Sequence, residues 1–367
     1  MRYLSALVAA AAVSLGSVHD AQSRVELLGH QPWLFTLPAL QHGGAEHATA
    51  HRRAARPAGP GHAKVAKRAA RPHAHAKRAH AKRAHAKHAV AKHAAPRATI
   101  SLYERTTNRR VLRRQGCSAA KRGVGGIVIL DFGKPASRGH RYGTILFSNR
   151  FASNREITLA MLAYAGGYRY CLRRGSHETI VLARGTSNYR PSVPSTFRAG
   201  RMWARETMQL ARWLKRFGMR EHVSSAAAID AEPAWDPSFH RTRDFFRGYR
   251  ASKIGRPLYN FGSLDGGVGS YWNARQIFYV TAGMRYARPI PEIYNRTMAK
   301  QWAHAAWLAK RKFHTKLRFA GVMTQHVEGC RTCGFLPPVA HKTLVRELAA
   351  RNVHAEVPAV TNIRSAR

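Results

Sequence analysis

Negative charge is what this 367-residue chain has least of: 18 Asp and Glu stand against 62 Lys and Arg, for a formal charge of +44. Such a chain repels itself and is drawn to polyanions, whether nucleic acid, anionic lipid or the phosphate- and carboxylate-bearing polymers of a cell wall. The shortage also makes each acid informative. Long apolar runs are lacking too, and no stretch reaches the roughly 20 charge-free residues of a bilayer span. Only four cysteines are present, too few for a disulfide-dense scaffold. No G-x-G-x-x-G follows the first strand-like run, and no P-loop, H-E-x-x-H or G-x-S-x-G occurs, so nucleotide-binding, zincin and serine-hydrolase readings lack their fingerprints. No cofactor is expected, and no dedicated metal site is read.

What is there divides into four segments. Residues 1–23 begin with Arg2, pass through the apolar run from Leu4 to Leu15 and reach Ala21-Gln22-Ser23, an A-x-S cleavage pattern. They read as a secretory signal peptide. Residues 24–98 read as a disordered linker rich in Ala, His, Lys and Arg. Within it, residues 42–98 hold 14 Lys/Arg against one Glu, and a five-residue repeat starts at His75, His80 and His85. Such a composition cannot bury enough apolar surface to offset the entropy of ordering. It reads either as an electrostatic anchor or as a plain spacer. Since residues 1–41 are neutral overall, +31 remains for residues 99–367. The sequence predicts a folded domain over 99–355 and a C-terminal tail over 356–367.

Within 99–355, short apolar runs alternate with helical periodicity, the mark of α/β architecture. The predicted strands are Ile127–Asp131, Thr144–Phe147, Thr179–Ala183, Ser225–Asp230, Pro257–Phe261, Ile277–Thr281 and Arg318–Met323. One helix is predicted after Ser195, with Ala199, Trp203, Thr207, Leu210, Leu214 and Phe217 at helical spacing and Gly218 as its stop. A second is predicted from Pro291, carrying Met298, Trp302, Ala305 and Ala309. This pattern fits a (β/α) barrel of the TIM type, irregular or short of eight units, with an open doubly wound sheet as the alternative.

Barrels of this type place function at the C-terminal strand ends. There the run Ala226-Ala-Ala-Ile-Asp-Ala-Glu-Pro233 puts Asp230 and Glu232 two residues apart, so both project to one face of a strand. Paired carboxylates can divide acid and base work, each shifting the other's proton affinity. Asp131 ends another strand. Arg184, Asn188, Tyr259, Asn260, Tyr279 and Gln325 are candidate substrate-binding residues, since polar groups and aromatic faces together hold sugars. Asp236 reads as a helix N-cap before Pro237, and Asp265 before Gly266-Gly267 as turn chemistry.

The runs Ile229-Asp-Ala-Glu-Pro-Ala-Trp-Asp236, Pro257-Leu-Tyr-Asn-Phe-Gly-Ser263 and Phe319-Ala-Gly-Val-Met-Thr-Gln325 resemble glycoside-hydrolase-like barrels of exported bacterial proteins, distantly similar to family-25-type lysozymes. The resemblance covers about residues 124–350. It implies hydrolysis of a glycosidic bond in peptidoglycan or a related N-acetylated glycan, at the cell envelope. In that scheme Glu232 matches the general acid, Asp230 the residue that stabilises an N-acetyl group acting as internal nucleophile, and Asp131 the first-strand acid. The last-strand acid of lysozymes has no match, because that strand ends at Thr324-Gln325. The partner implied is an anionic envelope polymer or glycan. A non-catalytic polymer-binding barrel and a cationic nucleic-acid-binding protein are the competing readings, the latter without a recognition helix.

For an exported chain, four cysteines suggest disulfides. Cys330 and Cys333 can close a local loop and Cys117 can meet Cys171, but three pairings are open. A zinc site would want a second C-x-x-C.

Overall fold

The computed structural model describes residues 96–326 and 334–366. The signal peptide, most of the linker and the Cys330–Cys333 pair lie outside them. The described part is one compact unit from Ala95 onward.

Eight parallel strands form one curled sheet: β1 (Arg97–Tyr103), β2 (Gly126–Asp131), β6 (Ile180–Gly185), β7 (Val223–Ile229), β8 (Leu258–Asn260), β9 (Ala287–Pro289), β10 (Val322–Thr324) and β11 (Ala359–Ser365). Their spatial order, β10-β11-β1-β2-β6-β7-β8-β9, follows the chain in circular permutation. The two outermost strands also approach each other. Glu292 and Met323 form an isolated parallel bridge, and the amides of Ala320 and Met323 donate to the carbonyls of Pro289 and Pro291, each at 2.9 Å. A three-stranded antiparallel sheet, β3 (Lys134–Arg138), β4 (Arg141–Ile145) and β5 (Phe151–Ser153), is inserted after β2.

Seven α-helices accompany the strands among the described residues: α1 (Arg109–Lys121), α2 (Asn154–Cys171), α3 (Thr196–Arg216), α4 (His240–Ala251), α5 (Ala274–Phe278), α6 (Arg296–Phe313) and α7 (Pro337–Ala349). Strand alternation sorts the core into two sets. Ile129, Ala183, Ala226, Ala228, Ile290 and Met323 belong to a cluster on the sheet's concave face. Val128, Leu130, Ile180, Leu182, Ala227 and Ile229 pack toward the helices. Both faces are buried, which is why these strands read as continuous apolar runs rather than alternating ones.

Two helix pairs come unusually close. A Cβ at Gly116 of α1 would lie 2.0 Å from the Tyr164 carbonyl oxygen of α2, and one at Gly167 would lie 1.9 Å from that of Arg113. Gly200 and Gly248 make the same reciprocal contact between α3 and α4, at 2.1 and 1.9 Å from the facing carbonyls. The Cys117–Cys171 disulfide joins α1 to the end of α2 across 54 residues.

The helix predicted after Ser195 is α3, with the Ser195 side chain accepting the Arg198 amide and Gly218 at φ 65° past its end. Other expectations are corrected. The predicted tail over 356–367 contains β11, which is hydrogen-bonded between β10 and β1. The domain begins at Arg97, two residues before the expected boundary. Thr144–Phe147 overlaps β4 of the small sheet. Ile277–Thr281 is helical: Asn273 and Gln276 form a capping box that starts α5, which continues as a π-turn over Tyr279–Gly283. The helix predicted from Pro291 starts at Arg296, capped by Asn295, and Pro291-Glu292 instead follow β9.

Candidate functional site

Five of the chain's acids meet at the C-terminal end of the curled sheet. Asp131 closes β2 on the concave side, two residues beyond Ile129. Its Oδ1 accepts the Gly133 amide at 3.0 Å, while its Oδ2 receives no hydrogen bond. Gly185, its register neighbour on β6, leaves the room it needs, because a Cβ there would stand 2.7 Å from the Asp131 Cα.

Asp230 follows β7 and bridges to Ser187. Its amide donates to the Thr186 carbonyl at 2.7 Å and its carbonyl accepts the Asn188 amide at 2.9 Å. Asn188 then clamps the backbone of Glu232, its Oδ1 accepting the Glu232 amide at 3.0 Å and its Nδ2 donating to the Glu232 carbonyl at 2.9 Å. The second Nδ2 proton goes to Thr242 Oγ1 at 2.9 Å. This amide has no donor left for a substrate, so Asn188 is a positioning residue rather than a binding one.

Glu292, two residues beyond β9, completes the set. One carboxylate oxygen from each of Asp230, Glu232 and Glu292 lies within 4.8 Å of the others. Asp265 is the fifth acid. Its Oδ2 accepts the Ala234 amide at 2.7 Å and its Oδ1 a short hydrogen bond from Ser263. The turn role expected for Asp265 holds, at φ 42°, and the turn sets its charge against Glu232 and Glu292.

Asp131, Asp230, Glu232 and Glu292 are 0, 6, 4 and 1 % exposed. None takes part in the ion pairs found among the described residues. Burial disfavours their charged forms first, and mutual repulsion adds to it. The carboxyl of Asp131 is pushed up to about 7, with the Gly133 amide opposing. That of Glu292 is pushed up to about 8 by burial, then by Asp265 and Asp131, with Tyr294 opposing. Asp230 is raised well above the carboxylate range by burial, then by Glu232, Glu292, Asp131 and Asp265. Glu232 is raised likewise by burial, Asp265 and Glu292, with Ser263 hydrogen bonds opposing. Tyr103, in register with Asp131, has its hydroxyl pushed up by burial and then by the same four acids. The carboxyls of the site thus hold their protons more tightly than free carboxylic acids do.

At its rim, the Tyr189 ring meets Trp235 edge-on, with centroids 5.3 Å apart. Lys134 Nζ and the Arg190 guanidinium stand over Tyr189 at 5.8 and 5.5 Å from its centroid. Asp236 does cap a helix, but from outside its first turn: Oδ2 accepts the amide and hydroxyl of Thr242 at 2.8 and 2.9 Å, while Phe239 occupies the N-cap position at φ 65°.

Several predicted binding residues lie elsewhere. Arg184 shares the outer face of β6 with Leu182. It donates to Thr158 Oγ1 and Asn154 Oδ1, each at 2.7 Å, and its guanidinium covers Trp203 at 4.0 Å. It does not face the acids. Tyr259 lines a cavity of about 360 Å³ with Pro257, Arg288 and Arg318, at the sheet's N-terminal end. The Asn260 Oδ1 accepts the Gly262 amide at 3.3 Å. Tyr279 packs against Phe239 and Phe246 on the helical side. Gln325 remains a candidate: it lies two residues past Met323, 1 % exposed, with its Oε1 receiving no hydrogen bond.

Sequence reasoning missed Glu292 and Tyr103. Glu292 is the only acid between Asp265 and Glu328, and that scarcity was the available signal. Tyr103 lies on β1, which directly follows the basic linker in sequence. Comparison with family models and with curated proteins finds no match to this chain.

Proposed function

We propose that the protein is an exported glycosidase of the (β/α) TIM-barrel type, acting at the bacterial cell envelope on peptidoglycan or a related N-acetylated glycan. The observation that supports this reading best is the Asp230–Glu232 pair, buried at a strand end with raised proton affinity and no ion pair to a cation among the described residues. The strand order and the bridge between the outermost strands support the barrel.

In the first step, protonated Glu232 gives its proton to the glycosidic oxygen as the bond to the anomeric carbon breaks. The substrate's own acetamido oxygen attacks that carbon, and Asp230 stabilises the positive charge on the cyclised group. In the second step, Glu232, now a carboxylate, takes a proton from water as the water opens the ring, which restores the acid. Asp131 lies beside Asp230 and Glu292 and helps hold the proton inventory of the site. Tyr189 and Trp235 offer a face on which a sugar ring can stack.

A non-catalytic glycan-binding barrel is the second reading, favoured by Gln325 where lysozymes carry an acid. The two separate on incubating the full chain, beside Glu232→Gln, with peptidoglycan and N-acetylated oligosaccharides. New reducing ends from the wild type alone, seen by mass spectrometry, support hydrolysis. Polymer pulled down without products from either chain supports binding.

A further inference from the structure

We infer that the three carboxylates of Asp230, Glu232 and Glu292 form a binding site for one hard divalent cation of calcium size. One oxygen from each of these side chains lies within 4.8 Å of the other two. Ligands on opposite sides of a calcium ion, at bonds of 2.3–2.6 Å, stand about 4.6–5.2 Å apart, so the set fits within such a coordination sphere.

Proximity of acids is not enough, and a second observation points to a ligand. Buried polar atoms are nearly always hydrogen-bonded, yet three side-chain oxygens of this cluster receive no hydrogen bond, Oδ1 of Asp230, Oε2 of Glu292 and Oδ2 of Asp131, and neither does Oε1 of Gln325, just past the end of β10. Asp131 and Gln325 lie outside the triad, and each is at least 99 % buried. Alternation turns Asp131 inward, since it follows Ile129 on the concave face within β2. Asp131 is also near enough for its charge to act on Asp230 and Glu292. All the unused atoms are oxygens, the donor type that hard cations select and that zinc and copper select less strongly. Among the described residues no Lys or Arg forms an ion pair with these acids, in a chain that has 62 of them. Such a pair would otherwise compete with a mobile cation.

Binding needs no glycosidase activity. If the hydrolytic reading also holds, cation and proton compete for Glu232, and calcium inhibits cleavage.

The test uses the full chain, titrated with calcium by calorimetry and with terbium, a calcium-sized hard ion whose emission is sensitised by nearby tyrosines such as Tyr103. One equivalent should bind to the wild type, with affinity at least tenfold weaker in Glu292→Gln and in Asp230→Asn. Glu104→Gln, at a buried carboxyl outside the cluster, should bind as the wild type does. Melting curves without metal show which variants fold, and either triad variant suffices. Absence of binding to the wild type at millimolar calcium overturns the proposal, as does undiminished affinity in a folded triad variant. Because the readout is binding, its failure leaves the hydrolysis assay untouched, and the reverse is also true.

Discussion

Two sets of charged side chains are buried equally deeply in this molecule and are treated in opposite ways. Arg184, in the helix layer, is 0 % exposed and engaged at both terminal nitrogens: Thr158, Asn154 and the Trp203 ring occupy its guanidinium, and only Nε lacks an acceptor. Burial still pulls its pKa down to about 9, and Glu206 is the charge that opposes this. The acids at the strand ends are buried as deeply, yet Asp131, Asp230 and Glu292 each keep an oxygen with no donor. A buried charge whose terminal nitrogens are both engaged by fixed neighbours serves the fold. A buried charge left short of partners costs stability and persists where chemistry needs it.

The largest effect expected is on catalysis. Glu232→Gln removes the transferable proton and should lower the hydrolysis rate by roughly 10²–10⁴, the usual worth of a positioned acid, with the melting temperature unchanged or higher. On the other side of the comparison, Arg184→Met strands Asn154 and Thr158 in the helix layer. It should destabilise the fold by about 1–3 kcal/mol, the cost of leaving buried hydrogen-bonding groups unsatisfied, while any protein that stays folded keeps its pH profile. A fall in melting temperature for the acid variant and none for the arginine variant would invert the comparison.

Next comes the pH dependence of stability. Asp131 and Glu292 have folded pKa values of about 7 and about 8, raised above the ordinary carboxylate range. The folded state therefore binds more protons than the unfolded one between about pH 4 and pH 8, so stability is greatest at the acid end and declines as pH rises through that window. Glu156 and Glu347, held below their ordinary values by Ser153 and Arg296, act in the opposite sense and only below about pH 4.5. Melting temperatures recorded from pH 4 to 9 should show the decline, and Glu292→Gln should flatten it. A wild-type curve that rises over the same range would remove the electrostatic basis of the site.

Smaller effects sharpen the same contrast. Replacing both Cys117 and Cys171 with Ala should cost about 2–4 kcal/mol, measured by denaturant unfolding, with little change in hydrolysis, because that bond ties α1 to α2. Gly185→Ala presses on Asp131 from the neighbouring strand and should lower activity more than stability.

What could be read in advance depended on how local each signal was. Ser195 and Gly218 bracket α3 because both caps act on adjacent backbone, and Asp230 with Glu232 was legible because a strand's period of two is local as well. Glu292 was not: β9 is three residues long and sits among Pro289 and Pro291, so it resembled a helix start. β11 follows a polar stretch and gains its place only by pairing with β1 and β10. The assignment of Arg184 as a binding residue failed on face rather than on position. Counting by twos from Leu182 puts it with the helices, while counting from Ile129 puts Asp131 on the concave side. Tyr279 illustrates the remaining ambiguity, since a five-residue apolar run fits a strand or a helical turn until the Asn273 cap decides.

The central claim is that the buried acid pair cleaves an N-acetylated glycan through the substrate's own acetamido group. The most direct measurement follows the first-formed sugar anomer by NMR as the full chain acts on an N-acetylated oligosaccharide. The account predicts net retention at the anomeric carbon, with no product from Glu232→Gln. An inverted first product, or equal turnover by the variant, would contradict it.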